Sequence, residues 1–331
     1  MALPQFQATV SLERADRIEI TGLPADEPTW ASVGAMTNHL DHHGYGTGPQ
    51  LLAAAVRTFV DVAESIDAPP LSDGFRLSYR TTIPRQVGLG GSSALVVATL
   101  RCLSEHYGVD LPNEILPSVA LRAETVQLGL AAGLQDRVVQ TYGGLVAMDF
   151  GDPIVDTRFG VSHGVYEPED PTSLPALFLA YREGSAEPSD AYHQRLRSRF
   201  EVGDSHVRET LRELAGLVVE GRAALRWKDS EGFASLIGRN MQLRRLLGPI
   251  PPSQLELVEV AESANSQATF AGSGGAVVGT FDDDQHFELL SDVYADIGAD
   301  IVAVEGQNCP VGDHEATTEA DVVALEPRQL R

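Results

Sequence analysis

Apolar and polar positions along the chain change period several times, and each period predicts an element. Residues 7–20, QATVSLERADRIEI, alternate apolar and polar around a turn-like stretch, which predicts a pair of strands at the start of a sheet. Apolar residues recur at helical spacing over 49–66, PQLLAAAVRTFVDVAESI, and alternation returns over 75–82, FRLSYRTT. A turn over 83–91 then delivers the run SSALVVATLRCLSEH, a predicted helix over 92–106 with serines at its start and Gly108 beyond its end. A helix over 113–128 leads through GLAAGLQDRVVQTYGG into a strand at LVAMDF. Residues 152–173 are rich in Pro, Asp and Gly and suggest the passage between two domains. Beyond it come a strand at ALFLAYRE, helical patterns near 189–200, 204–226, 229–246 and 252–264, and a strand region at QATFAGSGGAVVGTF. A helix over 284–297 and a strand at ADIVAVEG complete an α+β carboxy-terminal domain. The expected division is 1–165, 166–308 and an acidic, aperiodic tail over 309–331.

Composition narrows the class. At 331 residues and 43% hydrophobic, the chain is long enough for two domains with sizeable cores. No window approaches the roughly 18 consecutive apolar residues of a membrane span, and the amino terminus lacks a basic region followed by an apolar core, so a soluble cytoplasmic protein is expected. The net charge of −23 argues against nucleic acid as a partner. Positive charge is almost all arginine, Lys228 being the single lysine, and acids are spread along the chain, a pattern that resembles proteins of salt-loving cells. In molar salt the Debye length falls to about 3 Å, which screens the self-repulsion of such a surface. The scarcity of lysine also removes the P-loop and the protein-kinase site, both of which need a lysine over the phosphates. Cys102 and Cys309 lie far apart in sequence and read as reduced structural thiols.

Four clusters carry candidate chemistry. The first, Pro84-Arg85-Gln86-Val87-Gly88-Leu89-Gly90-Gly91-Ser92-Ser93-Ala94, is a glycine-rich turn entering a helix amino terminus. Glycines let the backbone approach an anion, and the amide groups and dipole of the first helical turn favour its charge, so the pattern is a phosphate cradle. The serines supply donors or a metal ligand, or else cap the helix. A dinucleotide fold fits worse, because its third glycine would fall at Ser93 and Pro84 interrupts the incoming strand. The second cluster pairs Glu124 with Gly133-Leu134-Gln135-Asp136-Arg137, two carboxylates able to divide Mg²⁺ binding and proton acceptance between them. The alternative is a solvated Glu124 and an Asp136 that caps a helix or pairs with Arg137. The third, Phe270-Ala271-Gly272-Ser273-Gly274-Gly275-Ala276, permits close backbone approach or a tight hairpin. The fourth, Asn38-His39-Leu40-Asp41-His42-His43, has zinc-binding residue types but precedes a surface-turn signal, GYGTGP, with no second histidine cluster to complete a site.

The first three clusters, in this order and spacing, resemble the second motif, acidic loop and third motif of the GHMP kinases. The resemblance is nearest to the plant-type glucuronokinase branch, through IPRQVGLGGSSALVVATLRCL, GLAAGLQDRVVQTYGGLVAMDF and FAGSGGAVV, and extends more weakly over about 7–300. It implies an α+β two-domain fold, with a ribosomal-protein-S5-like amino-terminal domain, a ferredoxin-like carboxy-terminal domain and the site between them. It implies that Pro84 and Gly88, Leu89, Gly90, Gly91, Ser92, Ser93 and Ala94 wrap ATP, that Ser93 and Glu124 hold Mg²⁺, and that Asp136 accepts or polarises the proton of a sugar hydroxyl. Gly272, Ser273, Gly274 and Gly275 would close the cleft. If the acceptor is a uronic acid, its carboxylate needs an arginine, and Arg85 and Arg137 flank the motifs. The implied activity is phosphorylation of a sugar, with glucuronate at its anomeric position as the leading acceptor. Galactose, a heptose phosphate, a mevalonate-pathway intermediate or a non-catalytic binding role are the alternatives, and a homodimer is an admissible assembly. The family's first motif should precede the strand ATVSLE, where only seven residues stand, so the natural protein is expected to carry further residues before Met1.

Overall fold

The structure, a computed structural model, describes residues 1–21, 29–37, 50–84, 87–182, 189–272 and 274–304, with the backbone alone over 189–194. The amino-terminal strands β1 (Ala8–Ala15) and β2 (Ile18–Thr21) form as the alternation requires. They do not pair with each other. β4 (Gly74–Thr81) lies between them, antiparallel to β1 and parallel to β2, and β3 (Thr29–Trp30) completes the order β1-β4-β2-β3. A Cβ on Gly74 would fall 2.5 Å from the carbonyl oxygen of Ala15, so a glycine is what lets β4 start against the turn leaving β1. Ile18, Ile20, Phe75 and Leu77 are fully buried on the inner face, against α1 (Gln50–Ser65), α2 (Gly91–Tyr107) and α3 (Leu116–Arg122). α1 contributes Leu52, Val56, Phe59 and Ala63, the helical stripe legible in its sequence. Each of the larger of these side chains, Leu52, Val56 and Phe59, contributes about 1.5–3 kcal/mol of burial.

The helix expected over 113–128 is interrupted. α3 ends at Arg122, and Ala123–Gln127 form a π-helical turn, a widening of the backbone often found at functional sites. A loop then enters α4 (Gln135–Tyr142). The expected inter-domain passage over 152–173 is a two-stranded hairpin instead, β5 (Leu145–Asp156) with β6 (Val161–Glu169). Its turn residues are concentrated between the strands, where the Asp156 carboxylate accepts the N–H groups of Arg158 and Phe159 and Gly160 adopts φ 63°. Pro153 sits inside the register irregularity between Asp149 and Ile154, where a missing donor breaks no ladder bond.

The carboxy-terminal sheet contains β7 (Leu177–Tyr181), β8 (Ala268–Phe270), β9 (Ala276–Thr280) and β10 (Asp300–Ala303), antiparallel throughout in the order β10-β7-β9-β8. Between β7 and β8 run α5 (Ser189–Glu201), α6 (Ser205–Trp227), α7 (Ser230–Leu247) and α8 (Pro252–Ser263), and α9 (Asp284–Asp296) connects β9 to β10. Asp204, Asp229 and Asp283 cap α6, α7 and α9 through their carboxylates. Phe178, Met241, Leu257, Leu290 and Tyr294 fill this second core. A third, smaller cluster joins the halves: Val87 and Leu89 of the glycine-rich loop pack with Leu179, Ala276, Ala271 and Phe6. Among the described residues no helix is long and apolar enough to cross a membrane.

Candidate active site

The loop after β4 reaches α2 through two left-handed glycines, Gly88 at φ 76° and Gly90 at φ 67°. Gly90 is the N-cap of α2, and no side chain caps the first turn. Ser93, 1% exposed, does not act as a cap; its hydroxyl donates to the Gly90 carbonyl at 2.7 Å. The first-turn amides, with the positive end of a 17-residue helix behind them, are thus left for an anion.

Asp136 stands across this loop in the first turn of α4. A Cβ placed on Gly90 would lie 3.1 Å from Ser93 Oγ and 3.3 Å from the Asp136 carboxyl carbon, so hydroxyl and carboxylate converge over a position that only glycine leaves open. Leu134 is the N-cap of α4 and no side chain caps it, so Asp136 plays no capping role. Burial holds the Asp136 pKa above the ordinary aspartate value, and the amino-terminal ammonium partly opposes the shift.

Glu124 is not a solvated helix residue. It sits in the π-helical turn, 4% exposed, with its Oε2 in a salt bridge to Arg137 Nη2. Arg137, equally buried, also donates through Nη1 to the Gly133 carbonyl at 2.5 Å. Burial pulls its pKa down to about 10, which leaves it charged at neutral pH. Of the two arginines flanking the motifs, Arg137 is engaged by its pair with Glu124, because burying either charge alone would cost far more than burying both. Arg85 and Ser273 lie outside the described residues, as do the His39–His43 cluster and the 309–331 tail.

The third glycine cluster is a hairpin loop between β8 and β9, closed by Ala271 N–H to the Ala276 carbonyl at 2.9 Å. Gly272, Gly274 and Gly275 all have positive φ. It is also an interlock. A Cβ on Gly88 would meet the Gly274 carbonyl oxygen at 2.4 Å, and one on Gly272 would meet the Gly88 carbonyl oxygen at 2.5 Å. The two loops therefore touch backbone to backbone.

Pro84, Gly88 to Ala94, Glu124, Asp136, Arg137 and Gly272 line one open cleft of about 2760 Å³, while Gly274 and Gly275 lie behind its wall. The sequence reading missed Arg244 on α7, which also lines the cleft and donates to Asn240 Oδ1 at 3.0 Å and to the Gly272 carbonyl at 2.8 Å. It missed Gln254, buried behind Gly274. Both stand on helices whose periodicity announces only a packed face. Among the described residues no three His, Cys, Asp or Glu side chains group as a metal site. Cys102 is a structural thiol, its pKa pushed up to about 11 by burial.

A two-domain α+β chain with an uncapped, glycine-rich helix start facing a buried carboxylate suits an enzyme that handles phosphate, and the comparisons make this specific. Residues 50–144 match the GHMP kinases N terminal domain. Glucuronokinase 1 of Arabidopsis thaliana is 38% identical over 84% of this chain and 77% of its own length. A crystal structure of a Listeria innocua protein aligns over 90% of both chains with a TM-score of 0.71 and 17% identity. Galactokinase of Lactococcus lactis, solved with galactose, aligns over 94% of this chain and 86% of its own with a TM-score of 0.66 and 14% identity. The chain belongs to the GHMP kinase family.

Proposed function

We propose that the chain transfers the γ-phosphate of ATP to the anomeric hydroxyl of glucuronate. The observation that carries the transfer is the convergence over Gly90 of an uncapped helix start, the Ser93 hydroxyl and the Asp136 carboxylate. The similarity to Arabidopsis glucuronokinase 1 supports the acceptor.

In this reading the amide groups at the start of α2 hold the β- and γ-phosphates. Asp136 accepts the proton of the attacking hydroxyl as the new O–P bond forms, and the bond from the γ-phosphorus to the β-phosphate oxygen breaks to release ADP. Its raised pKa makes it a stronger proton acceptor than an exposed aspartate. The residues fit Mg²⁺. Ser93 Oγ and Glu124 Oε1 are hard oxygen donors lining one cleft, and Oε1 has no hydrogen-bond partner among the described residues. When bound, Mg²⁺ supplies charge neutralisation on the phosphates, and with only two protein ligands it arrives with the nucleotide. Arg85 remains the proposed partner of the uronate carboxylate. Closure of the cleft by Gly272 and a cytoplasmic setting belong to the same reading, as does a division between the domains, which falls after β6 rather than at residue 165, inside that strand.

The test is ADP release with glucuronate, galacturonate, galactose, a heptose 7-phosphate and mevalonate, in molar KCl, with the phosphate located by ³¹P NMR. Turnover highest with glucuronate, giving an anomeric phosphate, supports the proposal. Turnover highest with another acceptor, or nucleotide binding without transfer, overturns it.

A further inference from the structure

The Glu124–Arg137 pair divides one carboxylate between two tasks. Oε2 faces the guanidinium, while Oε1 has no partner among the described residues in a side chain that lines the cleft. The guanidinium is itself fixed, because its Nη1 is bound to the Gly133 carbonyl and its surroundings are buried. That carbonyl belongs to the loop joining the π-helical turn to α4, so one side chain ties the turn carrying Glu124 to the helix carrying Asp136. The carboxylate cannot rotate to present both oxygens without breaking a buried ion pair.

Mg²⁺ and Ca²⁺ differ in what they ask of a carboxylate. Mg²⁺ demands near-ideal octahedral geometry and takes one oxygen from each carboxylate, whereas Ca²⁺ accepts six to eight oxygens and readily takes both. We infer that Arg137 is a metal-selecting positioning residue: by occupying Glu124 Oε2 it leaves a single oxygen, and so favours Mg²⁺ over Ca²⁺ in the nucleotide complex. This rests on the reading of Glu124 as the metal ligand. It gives a buried arginine beside Asp136 a task that no contact with the sugar would require.

The experiment measures binding to the full chain by titration calorimetry, using Mg²⁺ or Ca²⁺ with the non-hydrolysable analogue AMP-PNP. Wild type is compared with Arg137→Lys, which keeps a positive charge beside Glu124 but cannot serve both Gly133 and Glu124 with a planar fork. The expected result is a Mg²⁺ to Ca²⁺ affinity ratio that falls about tenfold in Arg137→Lys, the size usual for removing a partner of a metal ligand. An unchanged ratio in a folded variant overturns the inference. Should that variant fail to fold, wild type alone decides. Its difference infrared spectrum against Glu124→Gln should show the carboxylate splitting of one-oxygen coordination with Ca²⁺ as well as with Mg²⁺, and a two-oxygen signature with Ca²⁺ would refute the role. If Glu124→Gln leaves the affinity for both metals unchanged, the assignment of Glu124 fails and the inference fails with it. If Glu124→Gln weakens metal binding and Arg137→Lys does not shift the ratio, only the inference fails.

Discussion

Replacing Gly88 by Ala tests the backbone interlock directly. At φ 76° an L-residue costs roughly 1–2 kcal/mol through its own Cβ. The added methyl would also stand 2.4 Å from the Gly274 carbonyl oxygen and 3.0 Å from that of Ala271, both backbone atoms. Gly274 has little room to move, because the buried Gln254 amide lies close behind it. Overpacking of this kind costs about 1–3 kcal/mol, for a combined loss of roughly 2–5 kcal/mol. At the roughly 2–4 °C per kcal/mol usual for larger domains, the melting temperature should fall by roughly 4–20 °C. Any part of the strain relieved by parting the loops should appear as weaker AMP-PNP binding. Gly216→Ala is the control: it lies exposed in the middle of α6 with no atom near its Cβ, and should stabilise by about 1 kcal/mol. The variants are compared by calorimetric melting and nucleotide titration. A Gly88→Ala protein that melts and binds AMP-PNP as wild type does would refute the interlock.

Asp136→Asn should keep nucleotide binding and lower turnover by roughly 10² to 10⁴, the usual worth of a positioned base, and unchanged turnover would remove Asp136 from the reaction. Because its folded pKa is raised, the native state holds more protons than the unfolded chain between the ordinary and the raised values, so its contribution to stability falls as pH rises through that window. The Asn variant should therefore melt higher than wild type at neutral pH and gain nothing below about pH 3, where the wild-type carboxyl is protonated in both states. Glu124→Gln should raise the Mg²⁺ concentration for half-maximal rate and also destabilise by about 3–5 kcal/mol by stranding Arg137, whereas a stability loss alone would leave Glu124 a structural residue. With a net charge of −23, the melting temperature should rise steeply from dilute buffer to molar KCl; a salt-independent melt would refute the charge argument.

Much of this architecture is legible in the sequence where periodicity is strong and its partners are local. The stripe over α1, the run into α2 ending at Gly108, and the helices α5 to α9 stand within a residue or two of their expected bounds. What periodicity cannot carry is pairing. The alternation in β1 and β2 shows that each has one buried face, yet only tertiary packing decides that β4 inserts between them. Composition misled at 152–173, because proline was weighed as a breaker without regard to where it falls: at an irregularity in a two-stranded hairpin it removes no bond.

The site follows the same division, and the division shows why its parts were unequally legible. Gly88, Gly90, Ser93 and Asp136 lie on segments whose residue types already state a backbone requirement, a left-handed turn or a helix start, so chemistry and local structure coincide. The partner of Arg137 depends instead on a departure from regular helix. A continuous helix over 113–128 would have let Glu124 be read as a solvent-facing position, and nothing in the types of residues Ala123–Gln127 announces a π-helical turn. Once that turn carries Glu124 inward, an unpaired buried carboxylate is untenable, and the cation that neutralises it must come from a nearby buried position. Arg137 is that cation, 13 residues away across a loop with Gly129 at φ 67°. The residue type was therefore readable as a carboxylate-binding arginine, and the carboxylate it binds is the protein's own.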